Sequence, residues 1–171
     1  LEGISTSYSE SMPPLLVMKG SASFNRYHFD ITIEEAEILE LKVDNGTIAL
    51  SGLNSNDQFA EVELNVHGPL SSALQIIPKQ KSLLILGQGI NFIPQNAEGT
   101  TETHLRFTFP IMKDLSFERI EILANASMQG VAIRDVFGFL DLQHGVLSLK
   151  ANEKDFILSG NIAVSYTHLR A

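Results

Sequence analysis

The 171-residue sequence contains no cysteine and no tryptophan, and only 19% of its residues are charged. The absence of cysteine excludes disulfide bonds, thiolate nucleophiles and cysteine-ligated zinc. Basic residues are scarce as well, with 12 Lys and Arg against 20 Asp and Glu, so the formal net charge is -8. Binding to the phosphate backbone of nucleic acids depends on clustered basic side chains. We therefore expect no nucleic-acid partner.

Long hydrophobic runs are also missing. The longest wholly apolar runs are 15–18 and 83–86, whereas a membrane-spanning helix needs about 20 residues. The chain opens on Leu1 without a charged segment followed by an apolar stretch, so we expect it to be cut out of a longer protein. We interpret 1–164 as a single β-rich module. The end of the chain resembles translated sequencing-adapter read-through, and we expect 165–171 to be a non-native tail.

Most of the chain alternates between apolar and polar residues with a period of two, as strands with one buried and one wet face do. In Gln58 to His67, for example, Val62, Leu64 and Val66 alternate with polar residues. Phe117 is an apolar residue at an odd position, whereas Ile120 and Ile122 are at even positions. This change of parity predicts a bulge near Glu118. The pattern indicates about ten antiparallel strands, at 24–33, 38–43, 47–51, 58–67, 104–109, 117–126, 136–142, 146–150 and 156–165.

One helix is predicted among the strands. Pro69 occupies a position where a first helical residue needs no N–H, and Pro78 ends the run. Between them, apolar residues recur with helical spacing at Leu70, Ala73, Leu74 and Ile77. We expect this helix to cover part of the sheet, and a partner-binding helix is the alternative. A loop is predicted at 87–96.

Two segments share one spacing of apolar residues and glycine. Alternating apolar residues flank a turn-like tripeptide in each segment. In the first segment Leu41, Val43, Ile48 and Leu50 flank Asp44-Asn45-Gly46. In the second segment Leu140, Leu142, Leu147 and Leu149 flank Gln143-His144-Gly145. Glycine adopts positive φ without steric cost, so we interpret each segment as a hairpin with the glycine at its corner. The internal repeat favours a repeated sheet.

Signatures of catalysis are missing from the sequence. The five histidines lack the spacing that places two imidazoles on one metal ion, and the acidic cluster 34–40 lacks a calcium-loop pattern. There is no Gly-x-Ser-x-Gly nucleophile elbow. We expect no enzymatic activity, no metal and no cofactor. An enzyme whose site is assembled from scattered polar residues is kept as the third of three hypotheses. The first two are given at the end of this subsection.

The number of strands raises the question of what covers their apolar side, because one short helix cannot cover about ten strands. The sheet either closes on itself as a sandwich or curls into an open trough that receives a ligand. Shielding an acyl chain of about 16 carbons from water is favourable by about 0.8 kcal/mol per methylene, roughly 13 kcal/mol in all. Lipid is therefore the ligand that suits a trough.

Three segments of the chain resemble the AsmA-like family, particularly its YhdP-type branch. They are Gly68-Pro69-Leu70-Ser71-Ser72-Ala73-Leu74, the run from Gly99 to Pro110, and Lys113-Asp114-Leu115. The similarity continues through Gly145-Val146-Leu147-Ser148-Leu149 to Ser159-Gly160 and covers about residues 55 to 163. These motifs are structural and not catalytic.

The resemblance implies an interior piece of a large envelope protein of Gram-negative bacteria. Members of the family are held in the inner membrane by an N-terminal helix, and their long β-rich periplasmic body forms a hydrophobic groove. They are implicated in moving phospholipid toward the outer membrane. The implied partners are phospholipid acyl chains, neighbouring repeats of the same polypeptide and the inner membrane, the last through an anchor that this fragment lacks.

We therefore predict a mainly β fold, in which an antiparallel, repeated amphipathic sheet curls into an elongated hydrophobic groove with one short helix. The predicted function is non-enzymatic lipid transport that supports outer-membrane biogenesis. The alternative is a closed β-sandwich that serves as a spacer or adhesive scaffold of a large surface protein. The predicted groove lining consists of alternating apolar residues of three strands, Val62, Leu64, Val66, Leu105, Phe107, Phe109, Phe156, Leu158, Ile162 and Val164.

Overall fold

A single antiparallel sheet dominates the structure. The computed structural model describes residues 4–6, 15–76, 93–136, 139–152 and 154–166. These residues form a nine-stranded sheet in which each strand pairs with its neighbours in the sequence. One short α-helix follows the fifth strand. The described chain is therefore mainly β and antiparallel with one short helix, as the alternation of the sequence predicts.

The strands are long apart from the first, which has three residues. They are β1 (Ile4–Thr6), β2 (Leu15–Phe24), β3 (His28–Ile38), β4 (Leu41–Ser51), β5 (Phe59–Pro69), β6 (Ala97–Pro110), β7 (Glu121–Val136), β8 (Leu140–Ala151) and β9 (Phe156–Tyr166). The helix is α1 (Leu70–Ile76), and 3₁₀ helices precede β6 and β7 at Pro94–Asn96 and Phe117–Arg119.

Two asparagines shape the turns that join β2 to β3 and β8 to β9. The side chain of Asn25 accepts hydrogen bonds from the backbone N–H groups of Tyr27 and His28, at 2.8 and 3.1 Å. Asn152 accepts from Lys154 and Asp155 in the same way, at 2.8 and 2.6 Å. A side-chain acceptor two and three residues before the donors stabilises a tight turn. The strand predicted over 24–33 is therefore interrupted after Phe24.

The predicted helix is confirmed, with a later start. Pro69 is the last residue of β5 and faces Thr100 of β6, so α1 begins at Leu70. A strand tolerates proline where the missing N–H is not needed for the ladder. The predicted helical positions Ile77 and Pro78, and residues 87–92 of the predicted loop, lie outside the described residues.

The two predicted hairpins are wrong, because each segment is one continuous strand. Residues 41–51 form β4 and residues 140–151 form β8. The β4–β5 register shifts between Val43 and Asn45, and the β8–β9 register shifts between Gln143 and Val146. A bulge inserts an extra residue and reverses the apolar phase without ending the strand. A turn and a bulge leave the same trace in the sequence here. The nine predicted ranges therefore correspond to seven strands, and β1 and β2, which were not predicted, bring the described sheet to nine.

The bulge predicted near Glu118 is also wrong. Residues 117–119 form a 3₁₀ helix, and β7 begins only at Glu121. The β7–β8 register shifts further along, between Gln129 and Val131 and on to Val136. The change of apolar parity near Phe117 therefore reflects the 3₁₀ helix that precedes β7 and not a bulge within the strand.

Within the described residues, two clusters of buried side chains make up the core. The first lies on β3, β4 and β5 and consists of Ile33, Ala36, Ile38, Val43, Leu64 and Val66. The second joins the helix to β6 and β7 and consists of Leu70, Ala97, Met128 and Val131. α1 contacts both clusters, because Ile76 packs against the first and Leu70 belongs to the second. The core is therefore built where the helix packs.

Candidate functional site

Apolar side chains of β5 and β6 share one side of the sheet. Direct partners across an antiparallel pair point to the same face, and the register sets Val62 opposite Phe107 and Leu64 opposite Leu105. We call the side of the sheet that carries Leu64 and Leu105 the apolar face. Two-residue spacing along each strand adds the other predicted lining residues of this pair, Val66 and Phe109.

The predicted lining residues of β9 lie on the same face. Thr103 lies two residues from Leu105 and therefore on the same face, and it pairs with Ala126 of β7. Ala126 in turn pairs with Leu149 of β8, and Leu149 pairs with Leu158 of β9. Ile162 packs against the second buried cluster. The remaining members on β9, Phe156 and Val164, pair with Ala151 and Leu142 of β8. The register thus brings all ten predicted residues onto the apolar face.

Burial divides the apolar face into two parts. Leu64 is 4% exposed, whereas Leu158 and Val164 on β9 are 50% and 52% exposed. Val62 and Leu105 are partly buried against the first cluster. The face is therefore covered near α1 and accessible at β9. Accessible apolar side chains in a row are a contact surface for an apolar ligand or partner.

The helix covers part of the apolar face through Leu70 and Leu74, which lie one turn apart. Leu70 is buried with Met128 and Val131, and Leu74 packs against the same cluster. The hydroxyl of the buried Ser72 donates a hydrogen bond to Glu40 Oε2 at 3.1 Å. Burial of a hydroxyl is tolerated when it is hydrogen-bonded. The expectation that α1 covers the sheet fits these contacts.

The opposite side, which we call the polar face, carries ion pairs between strands. Arg106 Nη2 donates to Glu61 Oε2 at 2.7 Å across the β5–β6 pair. This hydrogen bond and the charge of Glu61 raise the pKa of Arg106 above its ordinary value. Both side chains remain more than 40% exposed. Exposed pairs of this kind stabilise weakly and orient the two strands.

Two histidines that the sequence predicts on the wet face lie there and have partners. His67 Nδ1 donates to Asp44 Oδ2 at 2.8 Å. His104 Nδ1 donates to Asn65 Oδ1 at 2.9 Å, and its Nε2 lies 3.3 Å from Glu63 Oε1. These contacts link β4, β5 and β6 through side chains. They are cross-strand hydrogen bonds of the sheet.

The polar face bears a shallow depression of about 440 Å³, which reaches from β4 to β8 and is lined by side chains that include His67, Glu102, His104 and Lys150. Within the described ranges, no group of three or more His, Asp and Glu residues could hold a metal ion. No buried side-chain nitrogen or oxygen in this part of the chain lacks a hydrogen-bond partner. Glu102 and Lys150 in the lining of this depression are exposed and offer groups of both charges for polar contacts.

Sequence reasoning missed much of the apolar face on β3, β4 and β7. Ile33 pairs with Gly46, and Ala36 pairs with Val43. Beyond the register shift in β7, the residues on the apolar face change from even to odd numbers. Val131 therefore lies on the apolar face, opposite Gly145. The signal that could identify these residues is a change of apolar parity next to a glycine, which a bulge produces.

Comparisons of the chain with protein-family models, with curated proteins and with solved structures give no match. Among the helices of the described residues, none is both long and apolar enough to cross a bilayer.

Proposed function

We propose that this chain is a non-enzymatic segment of a lipid-transport protein, and that its apolar face shields phospholipid acyl chains from water. The observation that carries the proposal is the alignment of apolar side chains from β3 to β9 on one face, of which Leu158 and Val164 stay about half exposed. Acyl chains match such a surface because hydrophobic contact is not directional.

The dimensions of the sheet suit an acyl chain. Neighbouring strands lie about 4.8 Å apart, so nine strands extend roughly 38 Å along the sheet. An acyl chain covers half of a hydrocarbon core about 30 Å thick, hence roughly 15 Å. A whole chain therefore fits across the strands. In this proposal the sheet curls around its apolar face into an elongated hydrophobic groove of repeated, amphipathic strands.

The sequence motifs supply the cellular context of the proposal. The AsmA-like resemblance rests on Gly68 to Leu74, Gly99 to Pro110 and Lys113 to Leu115. By that resemblance the segment belongs to the periplasmic body of an inner-membrane-anchored protein of the Gram-negative envelope. Neighbouring repeats would continue the groove, and phospholipid would move along it toward the outer membrane.

Two adjacent residues of β9 provide a matched test. Leu158 lies on the apolar face and is 50% exposed, whereas Ile157 lies on the polar face and is 60% exposed. Both Leu158→Glu and Ile157→Glu place a carboxylate on an accessible apolar position, so they perturb folding similarly. Only Leu158→Glu adds a charge where acyl chains would lie, which is unfavourable for an apolar ligand.

The experiment compares lipid bound to the full chain and to both variants. The proteins are purified from a Gram-negative host, extracted and examined by mass spectrometry, and binding of a fluorescent phospholipid is titrated. We expect phospholipid with the parent chain and with Ile157→Glu, and a loss of at least tenfold in binding with Leu158→Glu. A parent chain free of lipid, or equal binding by both variants, refutes the proposal. In the first case the spacer or scaffold alternative takes its place.

A further inference from the structure

The helix α1 lies across the strands on the apolar face. Its first residue, Leu70, belongs to the cluster that includes β6 and β7, and its last residue, Ile76, packs against the cluster on β3, β4 and β5. α1 therefore crosses from strand to strand over roughly 10 Å, at about 1.5 Å per residue. In the proposed function an acyl chain also lies across the strands. Helix and acyl chain would then occupy the same kind of site on one face.

The contacts that hold α1 on the sheet are those that an acyl chain can replace. The helix has seven residues, with no acidic residue in its first turn and no basic residue in its last turn. So short a helix is marginal by itself, and the charges that would complement its dipole are missing. Its stability therefore comes from the apolar contacts of Leu70, Leu74 and Ile76 with the sheet. Such contacts are not directional, and an acyl chain provides the same burial.

A side-chain hydrogen bond and a glycine complete the attachment of α1. The hydroxyl of Ser72 donates to Glu40 Oε2 at 3.1 Å. Glu40 is exposed, so water can solvate its carboxylate when the hydroxyl leaves. Gly68, two residues before α1, has a φ of 153°, which favours glycine. Rotation at such a position near the end of a strand moves the following element while the strand stays paired.

We propose that α1 is a displaceable cover of the apolar face, which a phospholipid acyl chain displaces from the sheet. The inference rests on the proposed function and adds a regulation of the same surface. An acyl chain that binds where α1 has left the sheet shifts the population toward the displaced helix. With α1 in place, lipid contacts the accessible part of the face at β9. With α1 displaced, the apolar face is open from β3 to β9.

The absence of cysteine from the chain permits a test with single thiols. Ser72→Cys places a thiol on α1 at a position that is 2% exposed. Ala60→Cys is the matched control, because Ala60 is also 2% exposed but lies near the other end of β5. At about 3.4 Å per residue, it is roughly 30 Å from Pro69, which precedes α1. Each substitution changes the side chain by a single heavy atom.

The experiment measures how fast a water-soluble disulfide reagent modifies each thiol in the full chain, with and without palmitoyl lysophosphatidylcholine, a lipid with one acyl chain. We expect the lipid to accelerate modification at least tenfold in Ser72→Cys and to leave the rate in Ala60→Cys unchanged. Glycerophosphocholine, the headgroup without the acyl chain, should accelerate neither. Hydrogen exchange of the parent chain needs no substitution, and the lipid should accelerate exchange in α1 but not in β5.

Bound lipid is quantified in the same samples by mass spectrometry, which separates this proposal from the proposed function. If lipid binds and Leu158→Glu abolishes the binding, but the thiol of Ser72→Cys and the amides of α1 stay protected, the displaceable cover is overturned and the proposed function stands. If no lipid binds, both are overturned. Equal acceleration in Ser72→Cys and Ala60→Cys would mean that lipid opens the whole sheet, which also overturns the displaceable cover.

Discussion

Gly46 of β4 lies directly opposite Leu64 of β5, and a Cβ atom on Gly46 would lie 2.6 Å from Leu64 Cδ2. The same Cβ would lie 2.8 Å from the backbone oxygen of Glu63. Leu64 is buried in the first core cluster and cannot move away freely. The glycine therefore lets the bulged strand approach β5 and lets Leu64 occupy the space beside it.

Substitution of this glycine should destabilise the sheet. Gly46→Ala forces the backbone of β5 or the side chain of Leu64 to shift, and overpacking of this kind costs about 1–3 kcal/mol. The free energy of unfolding in urea measures the effect. Thr47→Ala, next in the same strand and exposed, is the control and should change it by less than about 0.5 kcal/mol. Equal effects of the two substitutions would show that close packing at Gly46 is unimportant.

The contact between helix and sheet predicts a second stability effect. Leu70 is buried with Ala97, Met128 and Val131, and Leu70→Ala leaves a cavity that costs about 2–5 kcal/mol. Gln75→Ala changes an exposed residue of the same helix and should alter stability little. Thermal and urea unfolding of the two variants provide the comparison. A small effect at Leu70 would mean that α1 does not stabilise the sheet.

The ion pair at the β2 edge predicts a dependence on pH. The hydrogen bond and charge of Glu34 raise the pKa of Lys19 above its ordinary value of 10.5. A raised pKa in the folded state means that the contribution is fully present below pH 10.5 and is lost as the pH rises through the raised value. The urea midpoint of the parent chain should exceed that of Lys19→Gln at pH 8, and the difference should vanish at high pH.

Salt and a partner variant control this experiment. Lys19 and Glu34 are 64% and 46% exposed, so 1 M salt should reduce the difference by screening. Glu34→Gln removes the same pair and should follow the same pH profile as Lys19→Gln. A difference that persists unchanged above the titration of Lys19 would contradict the assignment.

The period-two alternation was enough to predict the class of fold and parts of seven of the nine described strands, whereas β1 and β2 were not predicted. The alternation of Val62, Leu64 and Val66 depends only on which face of β5 is buried, and that property is local. The helix was predictable from the spacing of Leu70 and Leu74, which acts within one turn, whereas its start was predicted one residue early, at Pro69 of β5. The face shared by the predicted lining residues follows from these local patterns once the strands pair.

Prediction failed where the local structure depends on the strand that pairs with it, because the sequence of one segment does not specify that pairing. Asp44-Asn45-Gly46 is compatible with a turn and with a bulge, and only pairing with β5 distinguishes them. His144 adopts φ of 54° inside β8, a conformation typical of turns. The core residue Val131 was therefore missed, and Val43 was identified only as an apolar residue that flanks a predicted hairpin.

The order of the strands has a consequence for how the chain acquires its structure. Every strand pairs only with those before and after it in the sequence, so each addition to the sheet requires closure of a short segment, apart from the longer connection between β5 and β6. Short closures favour rapid formation of contacts. A nascent chain that emerges from its N terminus could therefore assemble this sheet progressively, one hairpin after another, before its last strand has been synthesised.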